Sequence, residues 1–307
     1  MPDAFCSDIA RRGDVDLNGS ATVASYWLCI EHPEPWEERE ISSGSLPPRL
    51  VECIGQWEEA LPGLRTQAIR REVNQFDEAG GVTVFIASVQ PGEQSLRRLR
   101  LSSLEALADL DVPAIILGHV DEPPGRRLDA PIVLTCTNGK RDACCALKGR
   151  IFQSALEAVA PQAAWQATHL GGHRFAPTAL VLPHGHQYGW LEADDADEFW
   201  SSASGGRIFQ FDRYRGCTAH RRPIQAAVIA VRREVGADAV EDIEDIRFEH
   251  RPGDVWHLRV TCRGQKFTVR VRRWKDGLLP KSCGGDPKPV IRQSVSVEAA
   301  STEDCDR

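Results

Sequence analysis

The chain has 307 residues, 42% of them hydrophobic and 26% charged, a composition typical of a soluble globular protein with two or three domains. Its formal net charge of -7 argues against nucleic-acid binding, for which a basic surface is needed. The N-terminal sequence MPDAFCSDIARRGDVD has no apolar core of the signal-peptide kind, and no apolar run approaches membrane-spanning length. We therefore expect a cytoplasmic protein without membrane contact, whose ten cysteines are reduced thiols or ligands.

Residues 1–120 are predicted to form one module, with elements in the order strand, helix, strand, strand, strand, helix. Proline and glycine after Leu61 end the first helix. The predicted elements are a strand from Ser25, a helix over Leu50–Leu61, strands over Thr66–Val73, Val82–Val89 and Arg97–Leu101, and a short helix from Ser102 to Leu110.

Residues 121–207 repeat this order. The acidic stretch EADDADEFW begins the closing helix, as acidic residues in a first turn should. Strand, helix and strand followed by a hairpin and a helix is the thioredoxin-like order, so we predict an α/β (α+β) fold with two tandem thioredoxin-like modules. The elements of this second module are strands over Ile132–Cys136 and Ala164–Thr168, a helix over Cys145–Val159, and hairpin strands over Thr178–Leu182 and Gln187–Leu191.

Residues 208–307 have a different character and are predicted to form a small C-terminal α+β appendage. An amphipathic helix is followed by strands, then by a loop over Gly277–Pro289 that contains SCGGDPKP. The predicted elements are the helix Pro223–Val235 and strands over Asp242–His250, Val255–Cys262, Gln265–Arg273 and Val290–Val297.

The second module holds the densest set of soft ligands in the chain. Cys136 ends a buried strand, and Cys145 opens a helix, where the helix dipole favours thiolate. His169 and His173 are four residues apart, but the Gly171-Gly172 pair between them indicates a loop. Two thiols and two imidazoles on separate loops form a four-ligand set for zinc or for an iron-sulfur cluster, and spacing alone does not choose between them.

The sequence around these residues resembles the sucrase/ferredoxin-like family, whose second half is a thioredoxin-like ferredoxin. The resemblance rests on CTNGKRDACC, THLGGHRFAPTALVLPHGHQYGWL, YWLCIEHPEPW and YRGCTAHRRPIQAA, and it covers most of the chain. In the characterised branch of that family, a Cys-x8-Cys pair and a His-x3-His pair hold a [2Fe-2S] cluster. The resemblance implies that Cys136 and Cys145, with His169 and His173, hold such a cluster here. Cys144 has no ligand counterpart.

Four other residues are predicted to lie around this site without binding the cofactor. Cys144 is expected to be a packing residue, and Asp142 to accept N–H bonds that shape the loop. Arg141 and Arg174 are expected to tune the charge of the cluster or to meet an acidic partner, with a plain surface ion pair as the alternative interpretation.

The implied function is electron transfer to or from an unknown redox partner protein, or redox sensing, rather than substrate turnover. The alternatives are a zinc-stabilised module with the same four ligands, and a thiol enzyme that uses Cys136 or Cys145 as nucleophile. Glycoside hydrolysis, which the family name evokes, is not expected, because no carboxylate pair stands out. Cys217, His220 and Cys283 give no supported second metal site, and Cys6, Cys29, Cys53, Cys262 and Cys305 show no ligand pattern.

Overall fold

The computed structural model describes residues 5–71 and 81–300. The end of the predicted strand Thr66–Val73 lies outside these residues. The first part of the chain contains five strands and four helices among the described residues. They are α1 (Cys6–Arg12), β1 (Tyr26–Glu31), α2 (Glu40–Ser43), α3 (Pro48–Ala60), β2 (Leu64–Arg70), β3 (Val82–Ser88), β4 (Ser95–Leu101), α4 (Val112–Ile116) and β5 (Arg126–Arg127).

The first half of the main sheet has the strand order β2-β1-β3-β4-β5. Strand β1 pairs in parallel with β2 and antiparallel with β3, so it is central, and its apolar sequence YWLCIE is buried almost throughout. Helix α3 presents Leu50, Ile54 and Trp57 at helical spacing to the core. Burial of this apolar face holds the helix against the sheet.

The second half repeats the strand arrangement of the first. Its strand order β7-β6-β8-β9 corresponds to β2-β1-β3-β4. Strand β6 pairs in parallel with β7 and antiparallel with β8, and all of its residues are buried. The ring of Phe152 on α5 packs edge to face against Phe199 on α6, with the centroids 5.5 Å apart. The elements are β6 (Ile132–Cys136), α5 (Ala143–Val159), β7 (Ala164–Ala167), β8 (Ala179–Leu182), β9 (His186–Tyr188) and α6 (Ala196–Ser204).

The two halves join edge to edge into one sheet of ten strands. Strands β2 and β7 pair antiparallel at only two positions, Ile69 with Ala167 and Arg70 with Gln166. Side chains across the joint pack as well, and the Phe85 and Trp165 rings meet edge to face at 5.2 Å. The joint therefore belongs to one continuous core that also contains the thiols of the second half.

The C-terminal part adds a tenth strand to the main sheet and forms a second sheet of its own. Strand β10 pairs with β9, whereas β11 to β14 form an antiparallel sheet covered by α7. The main sheet contains strands from before and after residues 120 and 207. The predicted domain boundaries at these two residues therefore stay a prediction. The elements are β10 (Tyr214–Cys217), α7 (Arg222–Val235), β11 (Ile243–His250), β12 (Val255–Cys262), β13 (Gln265–Pro280) and β14 (Pro287–Ala299).

The predicted loop over Gly277–Pro289 is wrong in its extent. Strand β13 continues to Pro280 and β14 already begins at Pro287, so only a short turn separates them. The register shifts between Asp276 and Leu278, where Gly277 has a φ of 59°. A bulge at this glycine accommodates one extra residue. The strand therefore continues past a position where the sequence pattern predicts its end.

The fold is thus a mixed α/β protein with a large sheet and a second antiparallel sheet. Among the helices of the described ranges, none combines the length and apolar character needed to cross a membrane.

The buried histidine His186 makes folding stability depend on pH. Burial, with the nearby charges of His184 and Arg232, lowers its pKa well below 6.5. At acidic pH the unfolded chain takes up a proton that the folded chain excludes, so the free energy of unfolding should fall between about pH 7 and about pH 5. Replacing His186→Phe should reduce this fall by up to about 2 kcal/mol, measured by urea denaturation.

His119→Phe makes the same replacement at an exposed position and serves as the control. Part of the fall should persist in His186→Phe, since burial also lowers the pKa of His220, to about 4. Identical pH profiles for wild type and His186→Phe would contradict this assignment.

Candidate metal centre

The two predicted thiol ligands lie on elements that pack directly against each other. Cys136 is the last residue of β6, and Cys145 is in the first turn of α5. The helix approaches the strand closely because Gly149 has no side chain. A Cβ atom there would lie 2.1 Å from the carbonyl oxygen of Cys136. A larger residue would push the helix and its thiol away from the strand.

Asp142 determines where helix α5 begins. Its carboxylate accepts a hydrogen bond of 2.9 Å from the backbone N–H of Cys144, so Asp142 is the N-cap. The helix therefore begins at Ala143, two residues before the predicted start at Cys145. Cys145, in the first turn of this helix, belongs to the core cluster that also contains Cys136.

Three of the four predicted ligands come together around one point. One ligand atom from each of Cys136, Cys145 and His169 lies within 4.8 Å of the others. The Cys136 Sγ atom is 3.9 Å from Nδ1 of His169. Both thiols are buried, at 1% and 0% exposure, whereas the His169 ring is only partly buried. The site thus has a buried thiol side and a more accessible imidazole side.

His173, the fourth predicted ligand, lies beside His169 rather than within this group of three. The two imidazole rings stack with their centroids 4.9 Å apart. The Nδ1 atom of His173 is buried, and among the described residues it has no hydrogen-bond partner. Burial lowers the pKa of His173 to about 4, so the ring is neutral at neutral pH. A neutral, unpartnered ring nitrogen is what a metal ion requires of a histidine ligand.

A hydrogen bond joins the two thiols. The hydrogen bond from Cys145 lowers the pKa of Cys136 well below 9, and a hydrogen bond with His169 acts in the same direction. The same Cys136–Cys145 contact and burial raise the pKa of Cys145. Because a cysteine binds a metal ion as thiolate, a bound cation would take the place of the proton in this hydrogen bond.

The loop between the histidines depends on its two glycines. Gly171 and Gly172 have φ angles of 92° and 80°, a region that side chains disfavour. A Cβ atom on Gly172 would lie 2.5 Å from Nη2 of Arg215. The buried Arg215 in turn donates a hydrogen bond of 2.8 Å to the carbonyl oxygen of Gly171. The His-x3-His segment is therefore a tight loop, as its glycines predict, and not a helix.

A basic cavity opens beside the two histidines. It has a volume of about 550 Å³, and Asp16 is the acidic residue among the described ones that line it. The imidazole side of the site therefore faces a positively charged environment. Its cationic side chains are those of Arg65, Arg174, Arg215, Arg222, Arg273 and Lys281.

The other residues predicted around the site differ in where they lie. Arg174 is buried and lines the basic cavity. Arg141 forms an ion pair with Glu38, which corresponds to the surface ion pair weighed as the alternative. Cys144 points away from Cys145, because consecutive residues of a helix project in different directions.

Cys144 belongs to a second thiol cluster that the sequence did not predict. Its Sγ atom lies 3.5 Å from Sγ of Cys6 and 3.1 Å from Sγ of Cys283, and Asp142 completes the group. The hydrogen bond with Cys6 lowers the pKa of Cys144 to about 6. No spacing rule reveals this cluster, since its cysteines lie in three distant parts of the chain. The one local signal is the adjacency of Cys144 and Cys145.

The remaining cysteines do not form further ligand groups in the described residues. Cys217 donates a hydrogen bond to the carbonyl oxygen of His184 at 3.4 Å, and neither Cys217 nor His220 belongs to a group of three metal-ligating atoms. Cys305 lies outside the described residues.

Comparison with known protein families confirms the predicted resemblance. The family model described as Sucrase/ferredoxin-like matches residues 17–216. The chain belongs to the sucrase/ferredoxin-like family. The region shared with the sucrase/ferredoxin-like family contains all four predicted ligands, whereas Cys6 and Cys283 lie outside it. No curated protein and no solved structure matches the chain significantly.

The glycine loop should be essential for the histidine side of the site. Gly172→Ala should lower the free energy of unfolding by about 1–3 kcal/mol, because it adds a strained φ and a clash with Arg215. Displacement of the histidines should also lower the metal content. Urea denaturation of metal-free protein and metal analysis of reconstituted protein measure the two effects.

Gly253 supplies the matched control, because its φ is also positive and a Cβ atom there meets nothing within 4 Å. Gly253→Ala should show the backbone strain alone, with unchanged metal content. Equal losses of stability and metal in the two variants would contradict the role of the loop.

Proposed function

We propose that the chain is an electron-transfer or redox-sensing protein that carries a [2Fe-2S] cluster held by Cys136, Cys145, His169 and His173. The observation that carries the proposal is the buried thiol pair facing two imidazoles, one of which has a buried nitrogen with no hydrogen-bond partner in the described part of the chain. Membership of the sucrase/ferredoxin-like family supports it. We also interpret each half of the main sheet as a thioredoxin-like module, because the strand orders β2-β1-β3-β4 and β7-β6-β8-β9 correspond.

The donor set fits a cluster of mixed ligation. A [2Fe-2S] cluster with two thiolate and two imidazole ligands accepts one electron at about −150 to +300 mV, against about −400 mV for plant-type clusters. Cys136 and Cys145 supply the negative charge and lie in the core. His169 and His173 add no charge and lie at the edge of the basic cavity. With a cluster bound, the imidazoles would therefore be the side through which an electron and a proton exchange with the surroundings.

The basic cavity supports an acidic redox partner. Six cationic side chains beside the histidines favour the approach of a negatively charged surface and fix its orientation. Arg174, which we predicted to meet such a partner, is one of them. A cytoplasmic location fits as well, since all nine cysteines in the described part of the chain are free.

A zinc-stabilised module is the second candidate. It is favoured by the mutual distances of up to 4.8 Å among the ligand atoms of Cys136, Cys145 and His169, which suit a single ion. Such a protein would be colourless and inactive in electron transfer.

Absorption spectra before and after dithionite, with iron and sulfide analysis of the same anaerobic sample, distinguish the two candidates. We expect a brown protein that bleaches on reduction and contains about two irons and two sulfides per chain. Cys136→Ser should lose the iron, and His169→Cys should keep it at a lower potential because a thiolate adds negative charge. Cys53→Ser, at a partly buried thiol on α3, is the control and should match wild type.

A colourless protein that binds one zinc ion at these residues would overturn the cluster proposal in favour of the zinc module. A protein that holds neither metal after reconstitution would overturn both.

The charge of the cavity should control the rate of electron exchange with small oxidants. Arg222 is exposed at the cavity, so Arg222→Glu should slow oxidation of the reduced protein by ferricyanide, an anion, about three- to tenfold at low salt. The effect should reverse for a cationic cobalt oxidant and shrink at high salt. Stopped-flow absorption measures these rates.

Arg247→Glu makes the same charge change at an exposed position of β11 in the second sheet. It should leave both rates near those of wild type. Equal effects of Arg222→Glu and Arg247→Glu would mean that net charge, rather than this cavity, governs the exchange.

A further inference from the structure

The second thiol cluster joins three distant segments of the chain. Cys6 lies in α1, Cys144 at the start of α5, and Cys283 in the turn between β13 and β14. With Asp142 they place four ligand atoms within 4.8 Å of one another. Phe5 and Ala176 pack against the same group. The site shares no residue with Cys136, Cys145, His169 or His173.

The geometry of the sulfur atoms suits ligands that surround a common ion. Cys144 Sγ is 3.1 Å from Cys283 Sγ and 3.5 Å from Cys6 Sγ. Thiolates around a tetrahedral zinc ion lie about 3.8 Å apart, given Zn–S bonds of about 2.3 Å. An opening of less than about 1 Å by side-chain rotation would therefore admit the ion.

Asp142 holds the ligand backbones in position and completes the donor set. One carboxylate oxygen accepts the backbone N–H of Cys144, and the other accepts that of Cys283, both at 2.9 Å. The first oxygen also lies 3.9 Å from the Cys6 sulfur. A carboxylate oxygen retains a lone pair for a metal after it accepts one hydrogen bond.

We propose that Cys6, Cys144 and Cys283, with Asp142 as fourth ligand, form a structural zinc site. Three thiolates select a soft cation, and a closed set of four protein ligands is typical of structural rather than catalytic zinc. The ion would tie the segment around α1 and the C-terminal hairpin to the start of α5, which carries Cys145. It would act as a clamp on the helix end that presents one ligand of the proposed cluster.

Metal analysis of the full-length protein, purified anaerobically, tests this site. Wild type should contain about one zinc per chain besides any iron. Cys283→Ser should lose the zinc, keep its iron and unfold at a lower temperature. Cys53→Ser, which also replaces a partly buried thiol, should keep the zinc.

X-ray absorption at the zinc edge of wild-type protein tests the ligands without a variant. We expect three sulfur neighbours at about 2.3 Å and one oxygen, without the scattering pattern of imidazole. Two sulfurs and two imidazoles would place the zinc at the histidine site and overturn the proposal. Protein that stays zinc-free after incubation with zinc, or that carries a disulfide among the three cysteines, would also overturn it.

The iron content and the zinc content of the protein test the cluster proposal and the zinc proposal independently. Iron without zinc in wild type would overturn the clamp and leave the cluster intact. Zinc without iron, lost on Cys283→Ser, would support the clamp while the cluster proposal failed.

Discussion

The close contact between helix α5 and strand β6 is the constraint on which the candidate site depends. It exists because Gly149 leaves room for the carbonyl group of Cys136, where any Cβ atom would collide. The contact brings the thiol of Cys145 beside that of Cys136 in the core. The same helix geometry turns the neighbouring Cys144 to the other side, towards Cys6 and Cys283. The start of one helix thus places two adjacent cysteines in two different clusters.

This arrangement divides the first site into two chemically distinct sides. The thiols are buried and joined by a hydrogen bond, whereas the histidines lie on a glycine loop at the edge of a basic cavity. Arg215 connects the loop to the N-terminal segment, because it donates to both Gly171 and Ser20. The charge of the cavity and the position of the imidazoles therefore both depend on the buried side chain of Arg215. This side chain links the proposed exchange of electrons to the proposed docking of a partner.

Much of the fold could be predicted from local patterns. The continuous apolar runs of β1 and β6 mark central strands; β6 has the predicted bounds, and β1 begins one residue after the predicted start at Ser25. The joint between β2 and β7 could not be predicted, since two paired positions leave no pattern in either strand. The proximity of Cys136, Cys145 and His169 could be expected from the strand end, the helix start and the glycine loop on which they lie. The second thiol cluster could not be expected, because Cys6, Cys144 and Cys283 meet only after the N-terminal and C-terminal parts pack on α5.

Anomalous diffraction from crystals of anaerobically purified protein, recorded on both sides of the iron absorption edge, tests the central claim most directly. The account predicts two iron positions between the Cys136 and Cys145 sulfurs and the rings of His169 and His173. Of the two irons, the one nearer the surface should lie on the histidine side, next to the basic cavity. The absence of iron at these four residues, or a single metal ion bound by them, would contradict it.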